Sequence, residues 1–312
     1  MPGDDGLRIL VNPAAADADY GAAFLTQCFA SPWTERLYRW YLQRSFCGEP
    51  SDRLVLVDGT RAVAGCGLVI RQLRTPDGER HRVGVVVAAC TAPSARGRGC
   101  YAQVLRAAAE RSAARGCAAL LAFVTADNAT GRGLARLGAA AIPSAYLVSR
   151  DRARTAAAGL LQLRNTTVAN DWPVRAAARA RAAGAPASFH YPDSNAWTSQ
   201  MVERPHGVEC VRIGATCRAL IERVGDTDRL QWLDGDEREL TAAIRALVAR
   251  AACRRRKFFM YSTCQHEAAA ARRLGLAARS GYLMALAVEA GRTGTVRDWA
   301  RMAWRVQSGD RM

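Results

Sequence analysis

The sequence contains almost no lysine and no long apolar run. Of its 44 basic residues only Lys257 is a lysine. The longest apolar stretches, such as residues 83–90 and 117–124, are strand-sized and fall well short of the roughly 18–20 residues that a membrane span needs. Residues 1–6 lack the basic and apolar regions of a signal peptide. These absences predict a cytoplasmic protein without membrane association.

Patterns typical of metal sites and disulfides are also absent. The chain has ten cysteines but no C-x-x-C pair, and its four histidines are isolated from the cysteines in sequence. Cys66, Cys90 and Cys117 lie in or beside apolar strand-like runs, where a free thiol behaves as a small hydrophobic group. We therefore expect reduced cysteines and no bound metal.

The formal net charge of +16 raises the question of nucleic-acid binding. A nucleic-acid-binding face concentrates its charge, whereas the arginines here are spread over the whole chain. The densest basic run, residues 254–257, directly precedes a strand-like segment. Arginine-rich, lysine-poor usage is also what a GC-rich genome encodes, so part of the charge reflects codon usage. We expect no nucleic-acid partner.

Length and apolar content predict two domains, because 312 residues with 50% hydrophobic side chains can bury two cores. Strand and helix patterns alternate over residues 1–150, weaken over a predicted linker at 151–187, and resume over 188–312. In the first part, strands are predicted at 8–12, 53–57, 62–73, 83–91, 118–125 and 142–149, and helices at 19–30, 35–46, 100–115 and 128–137. In the last part, strands are predicted at 208–214, 219–224, 230–233, 258–262 and 282–288, and helices at 237–255 and 267–274. Both parts close in the order strand, long helix, strand, short helix, strand. The predicted fold class is mixed α/β with two related domains.

The loop Arg96-Gly97-Arg98-Gly99 joins a buried strand to a helix that begins at Cys100. A helix N-terminus leaves N–H groups unpaired and attracts anions, and glycines let the backbone approach a phosphate closely. A dinucleotide fingerprint would need a third glycine where Ala102 stands, and no P-loop motif occurs. The loop is therefore a candidate phosphate site of another type, although a Gly-x-Gly pattern alone is as often a simple turn.

Residues 83–105 resemble the acetyl-CoA signature of the GNAT superfamily of acyltransferases. In that signature a strand ends in V-x-P, and two further residues lead into R-G-x-G and a helix. The chain reads Thr91-Ala92-Pro93-Ser94-Ala95-Arg96-Gly97-Arg98-Gly99, with Thr91 in place of the valine. Tyr101 replaces the last small residue of the superfamily pattern, a departure that some members share. The resemblance covers residues 1–150 and implies a tandem-domain member, with two GNAT-like acyl-CoA N-acyltransferase domains in an α/β mixed-sheet fold.

The resemblance also implies acetyl-CoA as cosubstrate, with no metal, and transfer of its acetyl group to a primary amine. In the family, two strands splay apart and the pantetheine arm lies in the gap as a pseudo-strand. Carried over to this chain, backbone groups of Ala89, Cys90 and Thr91 would pair with the pantetheine, and Asn128 would support the CoA arm. The backbone N–H groups implied to bind the pyrophosphate belong to Arg96, Gly97, Arg98, Gly99, Cys100 and Tyr101.

The acid and base of the reaction have no clear match in the sequence. Leu134 stands where many relatives carry the tyrosine that protonates the leaving thiolate, and residues 83–90 contain no carboxylate to match the glutamate base. Asp127 is the best remaining candidate for the catalytic residue, with a helix cap as its alternative role. His190, Tyr191 and the C-terminal carboxylate are further candidates from the second domain. The tail at 304–310 either folds back over a cleft or frays.

The leading functional hypothesis is N-acetylation of a small-molecule amine, such as an amino sugar or a specialised metabolite. A protein or peptide N-acetyltransferase and a non-catalytic CoA-binding regulator are the alternatives. The sequence leaves the length of the acyl chain and the oligomeric state open. In the second domain, Asp234-Gly235-Asp236-Glu237 occupies the position of the phosphate loop. Carboxylates at a helix N-terminus repel phosphate, so we expect this domain to bind no cofactor.

Overall fold

The computed structural model describes residues 6–13, 18–149, 166–168 and 185–311. Most of the linker predicted at 151–187 lies outside these described residues. The described helices are α1 (Ala18–Phe29), α2 (Glu35–Leu42), α3 (Cys100–Ala114), α4 (Ala129–Arg136), α5 (Ser194–Met201), α6 (Glu237–Cys253), α7 (Gln265–Arg273) and α8 (Thr293–Trp299).

The strands form one large mixed sheet and a small hairpin. They are β1 (Arg8–Val11), β2 (Ser45–Phe46), β3 (Glu49–Pro50), β4 (Asp52–Asp58), β5 (Arg61–Arg74), β6 (Arg80–Thr91), β7 (Ala119–Thr125), β8 (Ala140–Val148), β9 (Thr166–Val168), β10 (Ser188–His190), β11 (Val208–Ile213), β12 (Cys217–Val224), β13 (Thr227–Asp234), β14 (Lys257–Ser262) and β15 (Ala277–Ala287). The order in the large sheet is β1-β4-β5-β6-β7-β15-β8-β14-β13-β12-β11-β9, and β10 pairs with β5. The mixed α/β fold is as predicted.

Most predicted elements lie within a few residues of the observed ones, but the helix predicted at 35–46 is wrong at its end. Helix α2 stops at Leu42, and the chain turns into the β2–β3 hairpin. The turn is made by Cys47 and Gly48, with φ angles of 52° and 77°. Ser45 and Phe46, the last residues of the predicted helix, form the first strand of this hairpin, and the apolar spacing of the segment does not reveal that pairing. Sequence reasoning also missed β10, α5 and α8.

The two halves of the chain exchange strands at the centre of the sheet. Strand β15, from the C-terminal half, pairs antiparallel with β7 on one side and with β8 on the other. Strand β8, from the first half, pairs in turn with β14 of the second. The domain boundaries 1–150 and 188–312 stay a prediction. In this sheet β15 of the second segment lies between β7 and β8 of the first, so the strands of the two segments are not separated.

Helices cover both faces of the sheet, and one apolar core runs under both halves. Helices α3 and α4 pack over the first half on one face, and α6 and α7 cover the second half. On the remaining face a shared core joins residues of α1 and α2 to residues of the second half, including Trp197, Trp299 and Trp304. No helix in the described residues is both long and apolar enough to cross a lipid bilayer. All ten cysteines are free thiols, and seven of them are buried.

We predict that Gly281→Ala destabilises the fold at the exchanged strand. Gly281 lies on β15 opposite Thr125 of β7 and Ser144 of β8. A Cβ atom there would lie 2.6 Å from the carbonyl oxygen of Val124, so one strand must shift. We expect a loss of about 1–3 kcal/mol, as for an overpacked core, measured by urea denaturation.

The matched control for this variant is Gly294→Ala in helix α8. A Cβ atom at Gly294 would meet nothing within 4 Å, and alanine favours a helix over glycine by roughly 0.5–1 kcal/mol. The control should therefore unfold at the parent's urea concentration or above it. Equal midpoints for the two variants would contradict the close packing of β15 between β7 and β8.

Candidate active site

The site begins where two parallel strands separate. Strands β6 and β7 are paired over three positions, from Val83 opposite Ala119 to Val85 opposite Leu121. Beyond Val85 the two strands continue without mutual pairing, β6 to Thr91 and β7 to Thr125. The result is a wedge-shaped opening whose edges carry backbone groups of both strands.

A bulge in β6 lies at the edge of this opening. Gly65 pairs with Cys90 and Gly67 with Val87, so Ala88 and Ala89 together face the single residue between those glycines. Ala88 has a φ angle of 48°, a left-handed conformation that costs a residue with a Cβ atom roughly 1–2 kcal/mol. A bulge leaves one residue of the strand unpaired and turns its backbone groups. Here it can aim backbone N–H groups of β6 into the opening.

The loop after β6 has the backbone that its glycines predict. Gly97 and Gly99 have φ angles of 81° and 74°, and a Cβ atom at either position would meet no atom within 4 Å. Helix α3 starts at Cys100, and its N-cap, Gly99, has no side chain to bond the first N–H groups. Those groups have no partner within the helix, and the space in front of them is open. The loop can therefore accept an anion from solvent.

The opening and the loop share one cavity of about 420 Å³. The residues that line it are Cys28, Phe29, Ala89, Cys90, Thr91, Ala95, Arg96, Gly97, Gly99, Cys100, Tyr101, Asn128, Ala129 and Thr130. Nine of the ten residues that the sequence assigned to the cofactor are in this set, and Arg98 is the exception. The fold brings these nine together, and their contacts with CoA stay a prediction.

The two loop arginines point to different places. The Nη2 atom of Arg96 donates a hydrogen bond to the carbonyl oxygen of Cys28 at 3.2 Å, which ties the loop to helix α1. Arg98 forms an ion pair with Asp58 at 3.0 Å, so its side chain turns toward the β4–β5 connection. Hydrogen bonding from the Cys90 thiol and the charge of Arg96 lower the pKa of the Cys28 thiol.

Two polar residues of the cavity are fixed by helix α4. Asn128 is the N-cap of α4, and its Oδ1 atom accepts a hydrogen bond from the backbone N–H of Thr130 at 2.7 Å. The hydroxyl groups of Tyr101 and Thr130 are hydrogen-bonded to each other, and burial raises the pKa of Tyr101. A tyrosine with a raised pKa keeps its proton at neutral pH and can donate a hydrogen bond to a ligand.

Asp127, the sequence candidate for the catalytic residue, lies outside the cavity lining. Its side chain is 66% exposed and forms an ion pair with Arg279 of β15. The Thr125 hydroxyl donates a hydrogen bond to it at 2.8 Å, and this bond, followed by Arg279, lowers the pKa of Asp127. The alternative role as a helix cap is wrong, because Asn128 caps α4. A catalytic role for Asp127 stays a prediction, and its contacts favour a structural one.

The cavity lining contains no carboxylate and no imidazole. Leu134, at the position where many relatives carry a tyrosine acid, is fully buried in the core beneath α4. The polar groups that line this cleft are therefore backbone groups and the side chains of residues such as Tyr101, Thr130 and Asn128.

A second cavity, of about 370 Å³, lies at the bulge on the face of α1 and α2. Its lining is mostly apolar and includes Phe24, Tyr38, Leu42 and Val55. Ala88 lines this cavity and Ala89 lines the first one, so the two cavities flank the bulge. The sequence did not reveal this second cavity, because its walls come from six separate elements, namely β1, α1, α2, β4, β5 and β6.

The C-terminal tail folds back into the molecule, as one of the two sequence alternatives predicted. Trp304 and residues 306–310 are buried, and the frayed-tail alternative is wrong for the described residues up to 311. The buried Arg71 donates to the Tyr191 hydroxyl at 2.9 Å, and that hydroxyl donates to Asp310 at 2.7 Å. Burial raises the pKa of both Tyr191 and Asp310. His190 is buried on β10, in register with Gln72 of β5.

The tail fills a second opening, between β13 and β14. These strands pair in parallel from Thr227 opposite Lys257 to Leu230 opposite Met260. Beyond that point the Gln307 side chain accepts from the N–H of Leu233 at 2.9 Å and donates to its carbonyl oxygen at 3.1 Å. On the other side, the N–H of Thr263 donates to the carbonyl oxygen of Val306 at 3.1 Å. The chain's own tail thus bridges the gap between β13 and β14, whereas the corresponding gap between β6 and β7 stays open.

The loop between β13 and α6 also differs from the loop before α3. The Asp236 side chain caps helix α6 and accepts from the N–H of Arg238 at 2.9 Å. A Cβ atom at Gly235 would lie 2.8 Å from the Cα atom of Cys217, so the backbone there is packed against β12. A carboxylate holds the helix terminus, and the glycine is closed to a ligand.

Comparison with known proteins gives a family match within the first half of the chain. Residues 12–135 match the family model described as an acetyltransferase (GNAT) domain. The comparison with curated proteins gives no match.

Solved structures of the same fold extend over most of the chain. A GCN5-related N-acetyltransferase from Anabaena variabilis is 15% identical with a TM-score of 0.60, over 91% of this chain and 74% of that one. One from Sphaerobacter thermophilus is 13% identical with a TM-score of 0.56, over 90% and 96%. A tandem GNAT protein from the clavulanic acid biosynthesis pathway is 13% identical with a TM-score of 0.56, over 90% and 98%. At these identities the likeness shows the fold.

Proposed function

We propose, on the premise that the first half of this chain carries a GNAT acetyltransferase domain, that the protein acetylates a primary amine of a small molecule with acetyl-CoA. GNAT domains use acetyl-CoA. The observation that carries the proposal is the single cavity that joins the β6–β7 opening to the glycine loop. It offers an anion site at one end and unpaired strand edges at the other, in the order that a pyrophosphate and a pantetheine arm require.

The residues present fit acetyl-CoA as a substrate. The open backbone at Gly97 and Gly99 and the uncapped start of α3 suit a pyrophosphate. The edges of β6 and β7 suit the amide groups of the pantetheine, which can pair as a short strand. Acetyl-CoA brings an activated thioester, so the protein's task is to position the amine and to polarise the carbonyl group.

The bulge at Ala88 and Ala89 is the feature that can polarise that carbonyl group. Backbone N–H groups fixed in a strand need no reorganisation as negative charge develops, and one such donor is worth about 2.7–4 kcal/mol in a water-poor site. Orientation of the amine against the thioester supplies the other large contribution, up to roughly 7–11 kcal/mol. The amine nitrogen bonds to the acetyl carbon, and the carbon–sulfur bond breaks so that CoA leaves as a thiolate. The proton that the amine loses passes through solvent, and the thiolate is protonated to free CoA.

The shape of the site supports a small acceptor. The apolar cavity of about 370 Å³ on the α1–α2 face meets the bulge from the side opposite the glycine loop, and its volume suits a small molecule. The basic net charge of +16 speaks against an acceptor groove for lysine-rich protein tails.

A non-catalytic CoA-binding regulator is the second candidate, because the cleft lining has no carboxylate or imidazole. Release of free thiol from acetyl-CoA over a panel of amines separates the two functions. Amine-dependent release supports the enzyme, and CoA binding without any release supports the regulator.

Substitution of the loop should weaken CoA binding. In Gly99→Asp the new carboxylate faces the pyrophosphate position from a left-handed backbone, so we expect CoA affinity to fall at least tenfold in calorimetric titration. Gly116→Asp is the matched control, because Gly116 ends the same helix with a φ angle of 67° and open space around it. If the control weakens binding as much as Gly99→Asp, the anion site is not at this loop.

Removal of the two arginine side chains should have unequal effects. Arg96→Ala should weaken CoA by about 1–2 kcal/mol, as for loss of a charge-assisted contact, because this side chain lines the cavity. Arg98→Ala should have a smaller effect, since its guanidinium is bound to Asp58 and Arg98 is not part of the cavity lining. The reverse order in calorimetry would contradict the proposed arrangement.

The pH profile and Asp127→Asn test the source of the base. We expect the rate to rise toward alkaline pH with the fraction of free amine, and Asp127→Asn to stay within about threefold of the parent, against the 10²–10⁴-fold effect of a true general base. The pKa of Asp127 is lowered, so this carboxylate is ionised throughout the neutral range. Its titration therefore cannot cause the rate to fall between pH 7 and mildly acidic pH. A bell-shaped profile whose acidic limb vanishes in Asp127→Asn would identify Asp127 as the base.

Titration with acetyl-CoA should give one site per chain. The second opening is bridged by Val306 and Gln307, and Asp236 occupies the equivalent helix terminus. Gly99→Asp, which alters only the first loop, should therefore remove all measurable binding. A stoichiometry of two in the parent, or a full site left in the variant, would contradict a cofactor-free second half.

A further inference from the structure

The last described residue of the tail, Arg311, lies on a shelf of three aromatic rings. Its guanidinium carbon is 4.7 Å from the ring centre of Tyr146, 5.0 Å from that of Tyr261 and 6.0 Å from that of Phe123. We call these three rings the aromatic shelf. Rings attract a guanidinium through their negative faces, but they do not neutralise its charge.

Among the residues that the structure describes, no carboxylate pairs with Arg311. Asp310, its neighbour in sequence, instead binds the Tyr191 hydroxyl and the backbone N–H of Gln307. The Nε atom of Arg311 is buried and has no hydrogen-bond partner among these residues. Buried polar groups are usually hydrogen-bonded, so a donor left open on a half-buried cation points to a missing acceptor.

The position of Arg311 is fixed by contacts far from its own side chain. The carbonyl oxygen of Gly309 accepts from Gln200 at 2.7 Å, and that of Asp310 accepts from the buried Arg71 at 3.3 Å. The Ser308 hydroxyl accepts from the backbone N–H of Tyr261 at 2.9 Å. A side chain held by such a backbone loses little freedom when a ligand binds, which favours its use as a recognition group.

The aromatic shelf is adjacent to the opening between β6 and β7. Phe123 lies on β7 two residues beyond Leu121, the last residue of that strand paired with β6. Both residues belong to the shared core face, whereas the α3–α4 core lies against the other face. A cosubstrate bound at the glycine loop enters the opening from the α3 side. An acceptor must then approach from the face that carries Arg311.

The other charged groups near the shelf are of both signs. Arg279 of β15 is in register with Tyr146 and pairs with Asp127. With the Arg279–Asp127 pair compensated, Arg311 is the positive group at this wall that has no ion-pair partner within residues 6–13, 18–149, 166–168 and 185–311, and the C-terminal carboxylate of Met312 lies outside these residues. One planar guanidinium matches one carboxylate in charge and in the geometry of a two-bond contact.

We propose that Arg311 binds a carboxylate of the acceptor, so that the substrate is an amine that carries an anionic group. This inference rests on the proposed function and specifies its substrate class. Arg311 is a specificity residue in this scheme: it orients the acceptor from the distal end and takes no part in proton transfer.

The test compares γ-aminobutyrate with its carboxamide as acceptors, with rates corrected for the fraction of free amine at each pH. We expect the full-length protein to favour the carboxylate by at least tenfold in kcat/KM. Arg311→Gln should lose this preference because its KM for γ-aminobutyrate rises by about 10–100-fold, as for loss of a charge-assisted pair. Its rate with the carboxamide should stay within about twofold of the parent's. Arg311→Lys should keep part of the preference, because it retains the charge without the planar fork.

Arg301→Gln is the control variant, since Arg301 is 84% exposed and belongs to the same C-terminal region. It should behave as the parent with both amines. 4-Aminobutylphosphonate provides a second anion of similar reach. A preference for the phosphonate over the carboxylate would overturn the assignment of a carboxylate.

Equilibrium binding separates this inference from the proposed function. Butyrate and butyramide are titrated against the protein saturated with CoA, a measurement that needs no turnover. Butyrate binding that disappears in Arg311→Gln supports the anion site even if no amine is acetylated. Acetylation of both amines at equal rates by the parent, or equal losses for both in Arg311→Gln, would overturn the inference and leave the acetyltransferase proposal intact.

Discussion

The opening between β6 and β7 exists because β7 is held from its other side by β15. After Leu121, β7 has no partner in β6, and a strand edge left alone in an apolar core would carry unsatisfied backbone groups. Seven successive pairs with β15, from Gly281 to Ala287, satisfy the backbone groups on the opposite edge of β7 and hold that strand in place. Strand β7 can therefore keep its position while its edge toward β6 stays free for a ligand, and the first half depends on a strand encoded about 150 residues later.

The two openings in the sheet have the same origin and different contents. In each, a pair of parallel strands separates after three or four positions and a helix starts at the mouth. At the first, Gly99 leaves the helix terminus without a side-chain cap, and a cavity remains. At the second, Asp236 caps the helix and Gln307 bonds across the gap. The difference lies in a few polar side chains on an otherwise repeated architecture.

Local sequence predicted what depends on local backbone preference. The glycines at 97 and 99, the strand before them and the helix after them are encoded within about twenty consecutive residues, and the structure contains them. The end of α2, the exchange of β8 and β15 and the contacts of Tyr191 with Asp310 depend on residues far apart in the chain. Periodicity carries no information on which strands become neighbours, and the sequence around Asp127 does not reveal that Arg279 lies beside it.

Because β15 lies near the end of the chain, it is synthesised well after β7, the strand with which it pairs. Ribosomes add about 5–20 residues per second, so β7 leaves the tunnel roughly 8–30 seconds before the strand that covers it. During that interval its edge is an unprotected template for pairing with other chains. If the first half folds before the second is synthesised, the edge of β7 that pairs with β15 is therefore exposed to solvent and to other chains. Slower translation of the C-terminal half would lengthen that exposure and favour aggregation over a working site.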